Sequence, residues 1–205
     1  MERKRGRIKR MIKAIDLSHH NGVADFKKVR DSGIDTVFLR TGFGFYLQKQ
    51  IDKYFFENYD NAKAEGFRIG AYHYSYATTP ADAAREADAM LKIIGDREMD
   101  LPLFFDIEES KQARLSKKVC SDMVRAFCGR IENSGFKAGV YSYDSFFGSN
   151  IEDDIYLKYH IWVARVEDVM PKQCRRYDIW QYSWKGAVDG IKGNVDMNRI
   201  FSIGA

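Results

Sequence analysis

Little in this chain lends itself to disulfides, membranes or phosphate binding. Of its three cysteines, Cys120, Cys128 and Cys174, the first two fall eight residues apart on a predicted helix. That is about 12 Å along the axis, too far for a bridge. A disulfide framework is therefore not expected, while cysteine use leaves the compartment open for a chain of this size. No apolar run is long enough to span a membrane. The basic opening MERKRGRIKR resembles the head of an export signal, but the apolar stretch that should follow is missing, because MIKAI is short and runs straight into the first strand. Residues 1–12 are read as a flexible basic arm and residues 13–205 as one barrel domain. Beyond the arm the chain is slightly acidic despite a net charge of +4, so charge gives no reason to propose nucleic-acid binding. A glycine-rich phosphate turn, a linker and an internal repeat are also absent.

What the chain does contain is apolar and aromatic. At 45% hydrophobic it supports one substantial core. Its 14% aromatic content exceeds what packing alone usually requires, and many rings fall at the ends of predicted strands, as in sugar-binding clefts.

The most informative segment is LPLFFDIEES, residues 101–110. An apolar, strand-like run ends in Asp106 and Glu108, with Ile107 between them. Residues two apart on a strand share a face, so their alpha carbons fall about 6.6 Å apart. Glycosidases set their paired carboxyls about 5–5.5 Å apart when retaining and about 6.5–9.5 Å apart when inverting, so the spacing admits either outcome. Like charges this close resist joint ionisation, which raises one pKa and makes a proton donor near neutral pH. Glu109 and Ser110, by contrast, read as the start of a helix, where an acid favours the positive end of the dipole.

Strand-like runs at 14–19, 36–41, 68–76, 101–107 and 137–142 alternate with helical stretches at 25–32, 52–65, 81–94 and 116–133. That rhythm is the signature of parallel strand–helix units. Gly33, Gly66 and Gly135 sit just past helices, where a left-handed residue closes the turn. After about residue 150 the runs at 160–166, 177–182 and 194–200 follow with no room for full helices. The expected fold is α/β, a modified TIM-like barrel of about five β/α units followed by three strands with few or no covering helices. An open doubly wound sheet is the alternative. Closure makes the first and last strands neighbours and sets the fourth across the mouth. Asp16, in AIDLSHHNG, and Asp196, in GNVDMNRI, then join Asp106 and Glu108 in one cleft, each expected near the carboxyl end of its strand.

The ordered set AIDLSHHNG, GAYHYSYA, LPLFFDIEES, GVYSY, IWVA, DIWQYS and VDMNRI, spread over residues 13–201, resembles the glycoside hydrolase family 25 muramidases, the Chalaropsis-type lysozymes. The resemblance implies a lysozyme that cuts the β-1,4 bond between N-acetylmuramic acid and N-acetylglucosamine in peptidoglycan. It makes Glu108 the general acid, Asp106 its partner carboxylate, and Asp16 and Asp196 supporting acids. It also sets Tyr72, Tyr141, Trp162 and Gln181 along the sugar cleft. It implies no cofactor or metal, glycan strands as partner, a monomer, and action outside the cell or in the wall. One stretch departs from the family pattern: FLRTGFGFY is unusually aromatic, and Phe43, Phe45 and Tyr46 either widen the substrate contact or pack under their loop.

Three alternatives remain. A metal-dependent hydrolase would need histidine ligands, but His19 and His20 are adjacent and would point to opposite faces of a strand, leaving His73 and His160 unsupported. A chitinase-like glycosidase would carry a longer acid-rich run before Asp106. A non-catalytic glycan-binding barrel would not need all four acids.

Overall fold

The computed structural model describes residues 11–45, 48–166 and 169–203. Most of the basic arm and Tyr46 lie outside them. Eight strands close into a barrel in chain order: β1 (Ile12–Leu17), β2 (Thr36–Phe43), β3 (Arg68–Tyr74), β4 (Leu103–Asp106), β5 (Ala138–Tyr143), β6 (His160–Ala164), β7 (Ile179–Gly186) and β8 (Val195–Ile200). Helices α1 (Phe26–Asp31), α2 (Phe55–Ala64), α3 (Pro80–Ile94) and α4 (Lys117–Asn133) follow the first four strands. Gly33, Gly66 and Gly135 all take positive φ, as expected of residues that close helices.

Strands β1 to β7 run parallel, whereas β8 runs antiparallel to both β7 and β1. The connection from Gly186 to Val195 is too short for a parallel crossover, which needs about a dozen residues or more, so the chain turns back as a hairpin. This corrects the expectation for Asp196: it sits at the amino end of β8, and the reversal is what brings that end to the mouth. Helices α5 (Asp144–Asn150) and α6 (Asp153–Lys158) fill the β5–β6 connection and complete the fifth β/α unit, each under two turns. One further correction concerns a short element. Glu109 and Ser110 do not open a helix, because a 3-10 turn (Gln112–Arg114) intervenes and α4 is capped by Ser116.

Alternation along each strand builds two cores. Outward residues such as Ile15, Val37, Ile69, Leu103, Phe105 and Val140 pack with Val29, Met90, Val124 and Phe127 of the helices. Inside the barrel Phe38, Phe104 and Trp162 form a plug, with ring centroids 4.7 to 5.6 Å apart. Two glycines make room for it. A Cβ on Gly70 would lie 2.5 Å from a Phe38 ring carbon, and one on Gly139 would lie 2.4 Å from a Phe104 ring carbon. Both glycines open the same inward pattern, Gly70–Tyr72–Tyr74 on β3 and Gly139–Tyr141–Tyr143 on β5. The barrel interior thus rises from rings packed on bare backbone to phenols at the mouth.

Candidate active site

Above the plug lies a cavity of about 240 Å³, and all eight residues nominated from the sequence line it: Asp16, Tyr72, Asp106, Glu108, Tyr141, Trp162, Gln181 and Asp196. Ser18, His20, Arg40 and Tyr74 complete the wall. Asp106 is the last residue of β4, and Glu108 lies two positions beyond the strand, in the loop that leaves it. The shared-face argument therefore reaches Asp106 but not Glu108, whose place is set by the loop. Within that loop the Ile107 N–H donates to Tyr141 O (3.1 Å), and the Ile107 carbonyl accepts from the Ser142 hydroxyl (2.5 Å).

Asp16 and Asp196 face each other directly across the β1–β8 pair. The side-chain amides of Asn198 (2.7 Å) and Gln181 (3.0 Å) converge on Asp16 Oδ2. Burial pushes Asp16 up to about 6, against the hydrogen bonds from Asn198, Gln181 and Asp196 that pull it down. Burial, then the charges of Asp16 and Glu108, push Asp196 to about 8. Facing each other away from water, the two carboxyls resist joint ionisation.

Glu108 is also raised, to about 7: burial is the main cause, a hydrogen bond from Tyr143 opposes it, and the charges of Glu109 and Asp16 add to it. Asp106 lies well above the ordinary carboxylate range, first through burial and then through the charges of Glu108 and Asp16, with Arg40 pulling the other way. Its buried Oδ1 has no hydrogen-bond partner among the described residues. An acceptor in that state is costly unless something else supplies a donor.

Arg40 is the one Arg or Lys side chain in the wall among the described residues. Its Nε and Nη2 bind Asp52 Oδ2 at 2.9 and 2.8 Å, and Nη2 also touches His19 Nδ1. Asp52 in turn accepts from the His19 and Tyr54 backbone N–H groups, so the cation is clamped in place.

Gln181 is a hub. Its Oε1 accepts from the Tyr141 hydroxyl (2.8 Å) and from Trp184 Nε1 (2.9 Å), while Nε2 reaches Asp16 and Asp196. The amide is fully engaged in holding the cleft walls. Trp162, only 1% exposed, belongs chiefly to the plug, and its Nε1 donates to Asn198 Oδ1 (2.8 Å).

Several residues of the site escape the sequence reading. Tyr74 and Tyr143 lie two beyond Tyr72 and Tyr141, Arg40 two beyond Phe38, and Asn198 two beyond Asp196. Extending the strand period would have found all four. Trp184 follows a register shift between Gln181 and Ser183, so the same count fails there.

The histidines do not gather. His19 and His20 sit in the turn after β1, not on a strand as expected, with ring centroids 3.9 Å apart. His73 is buried between the Thr41 hydroxyl and the Gly44 carbonyl, and burial pushes it down to about 4. Among the described residues, no group of three or more His, Cys, Asp or Glu could hold a metal ion. No helix there is long and apolar enough to cross a membrane. On the aromatic loop, Phe43 packs edge-on against Tyr76 (5.9 Å), and Phe45 lies under the Arg85 guanidinium (4.1 Å).

Residues 15–191 match the family model of glycosyl hydrolases family 25. Over 189 residues the chain is 30% identical to the autolytic lysozyme of Clostridium acetobutylicum, covering 92% of this chain and 56% of that protein. Among solved structures, it resembles the bacterial lysozyme from Streptomyces coelicolor with a TM-score of 0.80 and 25% identity, covering 93% of this chain and 92% of the other. It also resembles the modular autolysin LytC from Streptococcus pneumoniae with a TM-score of 0.81 and 25% identity, covering 92% of this chain and 46% of the other. The chain thus spans about half the length of the Clostridium lysozyme and of LytC.

Proposed function

The chain belongs to family 25 of the glycosyl hydrolases, and from that premise we propose that it is a peptidoglycan hydrolase, a lysozyme that cuts the β-1,4 bond between N-acetylmuramic acid and N-acetylglucosamine. One observation carries this reading: Glu108, raised to about 7, stands in one cavity with Asp106, Asp16 and Asp196. A carboxyl poised near the working pH can hold a proton until the leaving oxygen arrives.

Glu108 gives its proton to the glycosidic oxygen as the bond to the anomeric carbon breaks. The acetamido carbonyl oxygen of the same sugar attacks that carbon from the opposite face and forms a cyclic oxazolinium ion. Asp106 orients the acetamido group, and its unpartnered Oδ1 suits the acetamido N–H. The Glu108 carboxylate then takes a proton from water as its oxygen opens the ring, which restores the acid. Asp16 and Asp196 set the charge of the cleft, while Tyr72, Tyr141 and Trp162 form its ring-lined floor. This chemistry asks for no cofactor, and a monomer is the expected state. Its substrate locates the work outside the cell or in the wall.

The test is release of reducing ends from purified peptidoglycan. Glu108→Gln removes the proton donor and should lower the rate by about 10²- to 10⁴-fold with the fold intact. Wild-type protein that is inactive on every wall but cleaves chitin would overturn the assignment.

A further inference from the structure

A second cavity, of about 360 Å³, is lined by a different set of residues from the cleft. Tyr143 and Trp184 stand in its wall, with ring centroids 6.2 Å apart in an edge-to-face pair. Each is bonded to a residue of the catalytic cleft, Tyr143 to Glu108 and Trp184 through Nε1 to Gln181. Large apolar rings are normally covered, yet Tyr143 is 36% and Trp184 44% exposed.

Behind the rings stand Arg165 and Asp144. Asp144 is saturated: its two oxygens accept from the backbone N–H groups of Lys172 (3.0 Å), Gln173 (3.0 Å) and Cys174 (2.8 Å), and from Arg165 Nη1 (2.5 Å). Those bonds fix the 172–174 loop and the guanidinium together. Arg165 uses only Nη1 in this way, so among the described residues its Nε and Nη2 donors have no protein acceptor. The Nε–Nη2 edge is the fork that grips a carboxylate with two parallel hydrogen bonds. The cavity therefore joins a carboxylate-binding edge to two exposed rings, one step from the general acid.

We propose that this cavity binds the stem peptide of the glycan strand held in the cleft, its carboxylate on the Nε–Nη2 edge of Arg165 and its backbone laid across Tyr143 and Trp184. The assignment rests on the muramidase reading and makes the enzyme selective for peptide-bearing glycan.

Two substrates separate these ideas: purified peptidoglycan, and the same strands stripped of peptide by an amidase. Wild-type protein should show the higher kcat/KM on peptide-bearing strands. Arg165→Gln should lower kcat/KM there by about tenfold, the usual weight of a lost charge-assisted pair, and leave the rate on stripped strands unchanged. Arg165→Lys keeps a cation for Asp144 but loses the fork, and should show the same selective loss at an unchanged melting temperature. It decides the matter if the Gln variant folds poorly. Equal losses on both substrates, or none on either, would overturn the proposal. Wild-type inactivity on both would instead bring down the muramidase reading on which it rests.

Discussion

Two neighbours of Glu108 pull its pKa in opposite directions, so removing them should move the alkaline limb of the activity profile in opposite directions. Tyr143 donates a hydrogen bond that favours the carboxylate, while the charge of Glu109 disfavours it. A hydrogen bond to a charged group contributes about 1.5–3 kcal/mol, and the exposure of Tyr143 argues for the low end. Since about 1.4 kcal/mol corresponds to one pKa unit, Tyr143→Phe should lift Glu108 from about 7 to about 8. A general acid works only while protonated, so activity persists below its pKa and is lost as pH rises through it. At pH 8 the protonated fraction would rise from roughly a tenth to roughly a half, a gain of about fivefold relative to each protein's own plateau. Glu109→Gln removes a like charge and should lower the limb by about half a unit. The glutamine keeps an oxygen for the Tyr74 hydroxyl, which now donates to Glu109 at 2.8 Å. The assay is the initial rate of peptidoglycan solubilisation from pH 5 to 9 at fixed ionic strength. If both limbs move the same way, or neither moves, Glu108 is not the group whose protonation limits the rate.

Three further outcomes follow from the packing and the charges. Asp106→Asn should cost at least about a hundredfold in kcat while melting like the wild type, and retention of full rate would make the residue structural. Glu86, fully buried on α3, donates no charge to the cleft mechanism, and burial pushes it up to about 7. Because its folded pKa lies above the unfolded value, its contribution to stability is present at acid pH and lost as pH climbs through about 7. Glu86→Gln should therefore flatten the fall in melting temperature between pH 5 and 8, with a gain of the order of 2 kcal/mol at pH 8, and parallel melting profiles would refute this. Gly139→Ala drives a methyl into Phe104 and should lower the urea midpoint by an equivalent of about 1–3 kcal/mol, and an unchanged midpoint would show that the plug is loosely packed.

The order of strands and the place of Asp16 and Asp106 were legible from apolar runs and alternation, which a sequence displays directly, whereas Tyr72, Tyr141, Trp162 and Gln181 came from the family resemblance. What alternation cannot display is direction. Nothing in VDMNRI says whether it runs up or down the barrel, although the short connection before it already excluded a parallel crossover. Loops were equally opaque. Glu108 owes its position to a turn tied down by Tyr141 and Ser142, and Trp184 follows an irregularity in β7 that breaks the count. The Arg40–Asp52 clamp joins a strand to the start of the next helical segment, a contact that no local pattern announces.

The reversal of β8 also decides where the chain enters and leaves the sheet. At the end of the barrel away from the cleft, Ile12 of β1 pairs with Ile200 of β8, so the chain enters and leaves the sheet side by side on the underside. A parallel last strand would have delivered its carboxyl end to the rim, within reach of the substrate. As built, the points where the chain enters the sheet at Ile12 and leaves it at Ile200 both lie below the barrel, and the mouth of the cleft is left clear of them.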